Sequence, residues 1–451
     1  MHPPTGADSG ARAIRRASYG SNPVLGPHGS RARQEILAAA RTLFDQRGYH
    51  ATTVEAIGAA AGRSGASVYQ YFANKNELFQ VFVYDLGTDL LRQAGRLGPP
   101  APTARGFDEL RSWLDGISAI LERHATTFRL WTSVEQSERN LLSPAQRFLD
   151  LFTQRLEPRL REAGVTGVDH GALALAILRT VERAHFIRHT WRPDVLPSEL
   201  NDALARFLQM AFFPSAAASF RANPLPAGQW CPAGPVDHPG LPDPTRSMRR
   251  NPGARSQPTV DRLLAAASDV FGDEGLVAAS VPDIVARAGV GHGTFYSYWT
   301  DLSAIFASLA ARTAGSLIPL VDSSVAAGTE LETAATAGPW LDDLIERWVG
   351  FCQHERGVLR VWSQERLPTP TDEQLRSSVA SWCSRLLSDV IRRAGREDLL
   401  PETGTQLTMA ALLNFPLIRS ESPTWVSDEQ LSRVLRYLIG RGLLGLYETP
   451  A

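Results

Sequence analysis

Thr53-Val-Glu-Ala-Ile-Gly-Ala-Ala-Ala-Gly-Arg-Ser-Gly-Ala-Ser-Val-Tyr-Gln-Tyr-Phe72 is the stretch on which the fold turns. Val54, Ile57 and Ala60 recur at helical spacing, and Thr52 and Thr53 offer hydroxyls that accept a free amide of that helix's first turn. Gly62 then stands where the chain needs a left-handed residue to leave one helix and start the next. The segment from Arg63 to Phe72 is short and made of small residues. A helix of that kind enters a major groove with its N-terminal end near base edges, while Ser and Tyr hydroxyls bond phosphates.

Working outward, the same pattern returns. Ile36-Leu-Ala-Ala-Ala-Arg-Thr-Leu-Phe44 precedes the stretch, and Leu263-Leu-Ala-Ala-Ala-Ser-Asp-Val-Phe271 matches it 227 residues later. The offset holds without a gap: Gly48 falls on Gly275, Ile57 on Ile284, Gly62 on Gly289, Tyr69 on Tyr296, Tyr71 on Tyr298 and Phe79 on Phe306. Farther along, Trp113-Leu114-Asp115 falls on Trp340-Leu341-Asp342. A period that long exceeds a solenoid unit of about 20–50 residues and describes a duplicated domain. The apolar residues of both copies keep a helical period, Gly48 and Gly275 supply a stop after each first helix, and no period-2 pattern appears. The chain therefore reads as all-α. In the second copy, Ser280 followed by Asp283 has capping-box spacing.

Composition bounds the rest. At 451 residues the chain exceeds what one core serves, and 43% hydrophobic with 21% charged residues is ordinary for a globular protein. No apolar stretch approaches the roughly 20 residues needed to span a bilayer, and residues 1–33 lack the apolar core of a secretory leader. The three cysteines, Cys231, Cys352 and Cys383, form no C-x-x-C pair, so neither a disulfide framework nor a zinc site is supported and a reducing cytoplasm fits. Net charge is −1, yet residues 1–75 carry eight arginines and one lysine against four acids. That basic segment is either a phosphate-binding surface or a solubilising tail.

The first helix ending in Phe44 and Gly48, then Thr53-Val54, Ile57, Ala61-Gly62, Ser67-x-Tyr69, Tyr71-Phe72 and Lys75-x-x-Leu78, together resemble the TetR-family DNA-binding signature over roughly 50 residues. The chain looks like two such regulators fused end to end. The resemblance implies, for each unit, a three-helix helix-turn-helix head and a helical body that binds a small-molecule effector and dimerises. It implies phosphate contacts from Ser67, Tyr69, Tyr71 and Lys75, and base reading by Arg63, Ser64, Gly65, Ala66 and Gln70. Lys75 is the only lysine in the chain. On the second copy the same positions are Gly291, His292, Gly293, Thr294, Tyr296, Ser297 and Tyr298. That copy departs from the pattern: Leu302 replaces the lysine and Trp299 the phenylalanine, and residues 246–302 hold six arginines against six acids. Weaker DNA binding by copy two is the expectation, since each lost phosphate contact lowers affinity. Arg246, Arg249, Arg250 and Arg255 ahead of its first helix read equally as a minor-groove arm and as a solvated linker.

The expected organisation is a disordered basic arm (1–29), head one (30–90), body one (91–213), a Pro-rich extended linker (214–256), head two (257–317) and body two (318–451). The family dimerises through its last two long helices, so either 171–213 packs on 404–446 within one chain, or two chains form a homodimer with four heads. Candidate pocket residues are Trp113, His124, Phe128, Trp131, Phe148, Phe152 and His185 in copy one. In copy two they are Trp340, Trp348, Phe351, Trp362 and Trp382. Aromatic residues at helical spacing are more often core than cage. An enzymatic alternative would need Cys352 with His354, or Glu182 with His185; no phosphate-cradling or hydrolase motif accompanies them. A scaffold whose heads no longer bind DNA is the other alternative. No cofactor, metal or membrane partner is expected. Repression of a double-stranded operator, relieved by an effector, is what the resemblance implies.

Overall fold

The computed structural model describes residues 27–137, 142–222, 225, 230, 236–327, 334–364, 367–417 and 427–446, and no strand occurs among them. The expected arm over 1–29 lies outside the described residues except for its last three, which begin the first helix. The chain divides into two compact units, residues 1–85 and 86–451.

The first unit is head one: α1 (Pro27–Arg47), α2 (Val54–Ala60), α3 (Gly65–Val68) and the start of α4 (Lys75–Ala94). Ile36, Ala40, Leu43 and Phe44 lie on one stripe of α1 and are buried with Ile57, Val68, Phe72, Leu78 and Phe79. Phe44 meets Phe79 and Phe82 edge-on at 6.1 and 6.3 Å. Thr53 caps α2 by accepting from the amide of Ala56 at 3.2 Å. Thr52 takes no part in that cap. Its hydroxyl turns back to the carbonyls of Gly48 (2.8 Å) and Leu43 (3.3 Å) and closes the end of α1 instead. Gly48 and Gly62 both have positive φ, as the two helix exits require.

The second unit holds the rest. Body one contributes α5 (Ala104–Arg123), α6 (Ala125–Ser137), α7 (Leu142–Glu162), α8 (His170–Trp191), α9 (Pro197–Phe212) and α10 (Ala216–Ala222). Head two is α11 (Gln257–Ala278), α12 (Val281–Ala288) and α13 (His292–Tyr296). Body two is α14 (Leu302–Ala327), α15 (Ala334–His354), α16 (Arg356–Trp362), α17 (Pro370–Arg393), α18 (Glu402–Leu413) and α19 (Asp428–Tyr437), the last continuing as a π-helical Leu438–Leu444. α11 breaks at Gly275 (φ 73°), the counterpart of Gly48, and α12 ends on a left-handed Gly289. Ser280 accepts from the amide of Asp283, but its hydroxyl meets the Asp283 carboxylate, so the capping box forms only in part.

α8 is buried continuously from Ala172 to Leu178. A helix apolar on all sides must be covered on all sides. Copy one supplies part of the cover through α7, and copy two supplies the rest: Leu173, Ile177, Leu204 and Phe207 share one core with Leu407, Met409, Leu438 and Leu443. The approach is tight where residues are small. Gly404 abuts Ala203, leaving no room for a Cβ, and a Cβ on Gly442 would come within 2.6 Å of the Phe207 ring. At the rim, Arg183 donates to the carbonyl of Ser363 at 2.9 Å, and Arg376 lies 4.3 Å from the centroid of Trp191. α11 packs on α16 of its own body and on α6 of copy one.

Some described residues of the segment expected as a linker are bonded to body two. Leu225 donates its amide to Asp398 at 3.1 Å, Trp230 its indole N–H to Leu400 at 2.9 Å, and His238 pairs with Asp322 at 2.8 Å. One expectation needs correcting: Leu302–Ser324 is long and apolar enough to cross a membrane, with a mean hydropathy of 1.5. Half of it is buried inside the protein, and it carries Arg312. Core-helix burial accounts for its apolar character.

Candidate nucleic-acid interface and ligand cavity

In head one, Ser64 is the N-cap of α3, its hydroxyl accepting from the amide of Ser67 at 3.2 Å. That geometry leaves Ser64, Ala66, Tyr69 and Gln70 exposed on one side, with Gly65, Ser67 and Tyr71 half-buried. Gly58 was not singled out from the sequence, yet it sets the crossing. A Cβ there would stand 3.0 Å from the backbone of Ser64 and Gly65. A glycine inside a short alanine-rich helix is the signal that could have found it.

The two permanent cations of this surface are both engaged within the head. The Arg63 guanidinium bonds Glu35 of α1 at 2.8 Å, and Arg31 reaches the same carboxylate at 3.1 Å. The Arg63 hydrogen bond, then that of Arg31, holds the Glu35 carboxyl below the usual carboxylate range. The ammonium of Lys75 donates to the carbonyls of Tyr49 (2.8 Å), Thr52 (3.0 Å) and His50 (3.4 Å), and lies 4.3 Å from the Tyr49 ring centroid. It pins the loop between α1 and α2. Its charge is still near the surface, but its donors are committed.

In head two, Gly291, His292, Gly293, Tyr296 and Ser297 are exposed and Thr294 is half-buried. Tyr298, the counterpart of Tyr71, is buried at 2% exposure. The Arg250 guanidinium covers it, 4.7 Å from the ring centroid, and donates to the phenol oxygen at 3.2 Å.

The expected pocket residues separate in two. In copy one, Trp113, His124, Phe128, Phe152 and His185 are buried core. Trp113 exchanges hydrogen bonds with Gln93, and His124 meets Asp89 at 3.0 Å. His185 bonds Asn201 at 3.0 Å, whereas Glu182 pairs with Arg179. Trp131 and Phe148 are half-buried. Burial, then the neighbouring Arg188, pulls the His185 imidazole down to about 3, against the Asn201 hydrogen bond. In copy two, Trp340 and Trp348 line a cavity of about 70 Å³ together with Leu320, Val321, Ser324, Leu344, Ile345, Cys383, Leu387, Val390, Met409, Leu413, Leu435, Ile439 and Leu444. Phe351, Trp362 and Trp382 are buried elsewhere. Most lining residues are plain aliphatics from five helices, which sequence periodicity cannot tell from core. Burial pushes the Cys352 thiol up, while His354 points out at 86% exposure, so the two do not form a nucleophile–base pair.

The polar atoms of that cavity wall are turned away from it. Trp340 donates its indole N–H to Ser324, Trp348 to Leu413, and the Ser324 hydroxyl to Leu320, all at 2.8–3.0 Å. Burial pushes the Cys383 thiol up to about 12, so it stays neutral.

Two helix-turn-helix heads, each followed by a helical body, define a duplicated DNA-binding regulator. Its sequence matches the profile of the bacterial regulatory proteins of the tetR family twice, over residues 36–81 and 263–309. The uncharacterized HTH-type transcriptional regulator YfiR of Bacillus subtilis is 27% identical over 153 residues, covering 33% of this chain and 71% of that protein. A second B. subtilis regulator, YvdT, is 40% identical over 50 residues, 11% of this chain and 26% of its own length. Among solved structures, SmeT, the repressor of a Stenotrophomonas maltophilia multidrug efflux pump, has 24% identity and a TM-score of 0.31, covering 40% of this chain and 88% of its own. The chain belongs to the tetR family of transcriptional regulators and carries two tandem copies of its unit.

Proposed function

We propose that a single chain acts as a complete two-headed repressor, with the two bodies paired as an intrachain pseudo-dimer in the cytoplasm. The packing of α8 and α9 on α18 and the C-terminal helix carries this reading, because those are the surfaces through which separate subunits of the family would pair. Once each covers the other, no equivalent face is left for a second chain. Two different reading helices then meet an operator with two different half-sites rather than a palindrome.

Relief of repression follows from the cavity of body two. Its wall presents no nitrogen or oxygen and no charge, so the effector it suits is an uncharged, apolar molecule. At about 70 Å³ it is far below the ~300 Å³ of a site for a drug-sized ligand. An occupant of that size must push its walls apart, and α14 is the wall that begins directly after the reading helix of head two. Displacement of α14 is the route by which filling the cavity loosens the grip on DNA.

Footprinting of the purified protein on DNA upstream of its own coding region tests the reading. One asymmetric protected site is expected. A palindromic site would favour a four-headed dimer of chains, and the absence of protection at low salt would leave only an interaction module.

A further inference from the structure

The Pro-rich segment between the copies climbs along α14 and ends at the reading helix of head two. His238 pairs with Asp322 at 2.8 Å, Leu241 lies over Gly315, and the hydroxyl of Ser247 meets that of Ser308 at 2.7 Å. Successive strap residues thus meet successively earlier turns of α14, an antiparallel course with defined register. Met248 packs against the core of head two. The amide of Arg249 then donates to the carbonyl of Tyr298 at 2.7 Å, and its guanidinium to the carbonyl of Tyr296 at 3.1 Å. Arg250 donates to the Tyr298 phenol at 3.2 Å.

These contacts fix two arginines beside the exposed Tyr296 and Ser297, in the copy where Leu302 has removed the cation that copy one has at Lys75. Both arginines are exposed, and among the described residues neither pairs with a carboxylate. A guanidinium has five N–H donors in a planar fork. One side-chain bond to the head leaves most of each fork facing solvent, positioned and unneutralised. Two unpaired cations held in register beside a DNA-reading helix suit the geometry and charge of phosphate oxygens.

The geometry points to Arg249 and Arg250 as a DNA-backbone clamp for head two, supplied by the inter-copy strap in place of the missing lysine. The inference rests on the DNA-binding reading of the heads. It also reverses the expectation that copy two must grip DNA more weakly than copy one.

The test uses the full chain and two probes, a duplex from upstream of its own coding region and a random-sequence duplex at low salt. Replacing both residues (R249Q/R250Q) should lower affinity about ten- to a hundredfold and flatten the log–log salt dependence by about two units, with R249K/R250K recovering most of both. Protection should be lost only over one half-site. A folded R249Q/R250Q protein with unchanged affinity and slope overturns the clamp. In wild-type protein, duplex should shield Arg249 and Arg250 from an arginine-specific dicarbonyl reagent, read by mass spectrometry, and inorganic phosphate at the same phosphate concentration should not. Modification undiminished by bound duplex overturns the clamp whatever the variants do. If wild type binds neither duplex, the DNA-binding reading itself has failed.

Discussion

Lys75 shows how far a residue's position and its role can part. Its place in the motif was legible in the sequence, because motif spacing is local. Its three carbonyl partners were not, because Tyr49, His50 and Thr52 reach it only through the folding of the loop between α1 and α2. A hydrogen bond to a charged group contributes about 1.5–3 kcal/mol net. Lys75→Met should therefore cost head one about 2 kcal/mol or more, seen as faster hydrogen exchange at residues 49–52 in the absence of DNA. Unchanged exchange would return Lys75 to a purely DNA-contacting role. His185 gives a pH dependence whose sign is fixed. Its folded-state value of about 3 lies below the unfolded value of 6.5, so the unfolded chain binds the extra proton first. Stability is complete above about pH 6.5 and falls as the pH drops toward 3, by roughly 2 kcal/mol at pH 5. His185→Gln should flatten that limb of a denaturant-midpoint profile between pH 4 and 7. An unaltered profile would place the acid sensitivity elsewhere.

At the scale of elements, the pairing surfaces were readable and their partners were not. The Leu- and Ala-rich stretches 171–213 and 404–446 announce faces that need cover, but an apolar face does not say whether its cover comes from the same chain. Small residues at the crossing settle the distance. Gly404 on α18 has no room for a Cβ against Ala203, and overpacking typically costs about 1–3 kcal/mol or more. Gly404→Leu should lower the unfolding midpoint and open the bodies to self-association, which light scattering after size exclusion would register as species heavier than one chain. A variant as stable and as monomeric as wild type would show that the crossing is not a close one. The cavity was the least legible element, since Leu387 or Ile439 in sequence looks the same lining a void as filling a core. Leu387→Phe should occupy part of it without parting its walls, leaving DNA affinity unchanged and weakening binding of an uncharged apolar dye such as Nile red. Retained dye binding would move the ligand site out of body two.

At the scale of the whole molecule, duplication has freed the two copies to diverge. Copy one has the fuller reading motif, and copy two has an apolar cavity and the arginine-bearing strap. The repeat itself was the most legible feature of all, because a 227-residue offset needs no structure to be seen. What the sequence left open was how a duplicated chain counts, as half of a dimer or as the whole. Native mass spectrometry of the protein bound to its upstream duplex tests that count most directly. The account predicts one 49.2 kDa chain per bound duplex, with both heads engaged. Two chains on the minimal protected duplex would contradict it.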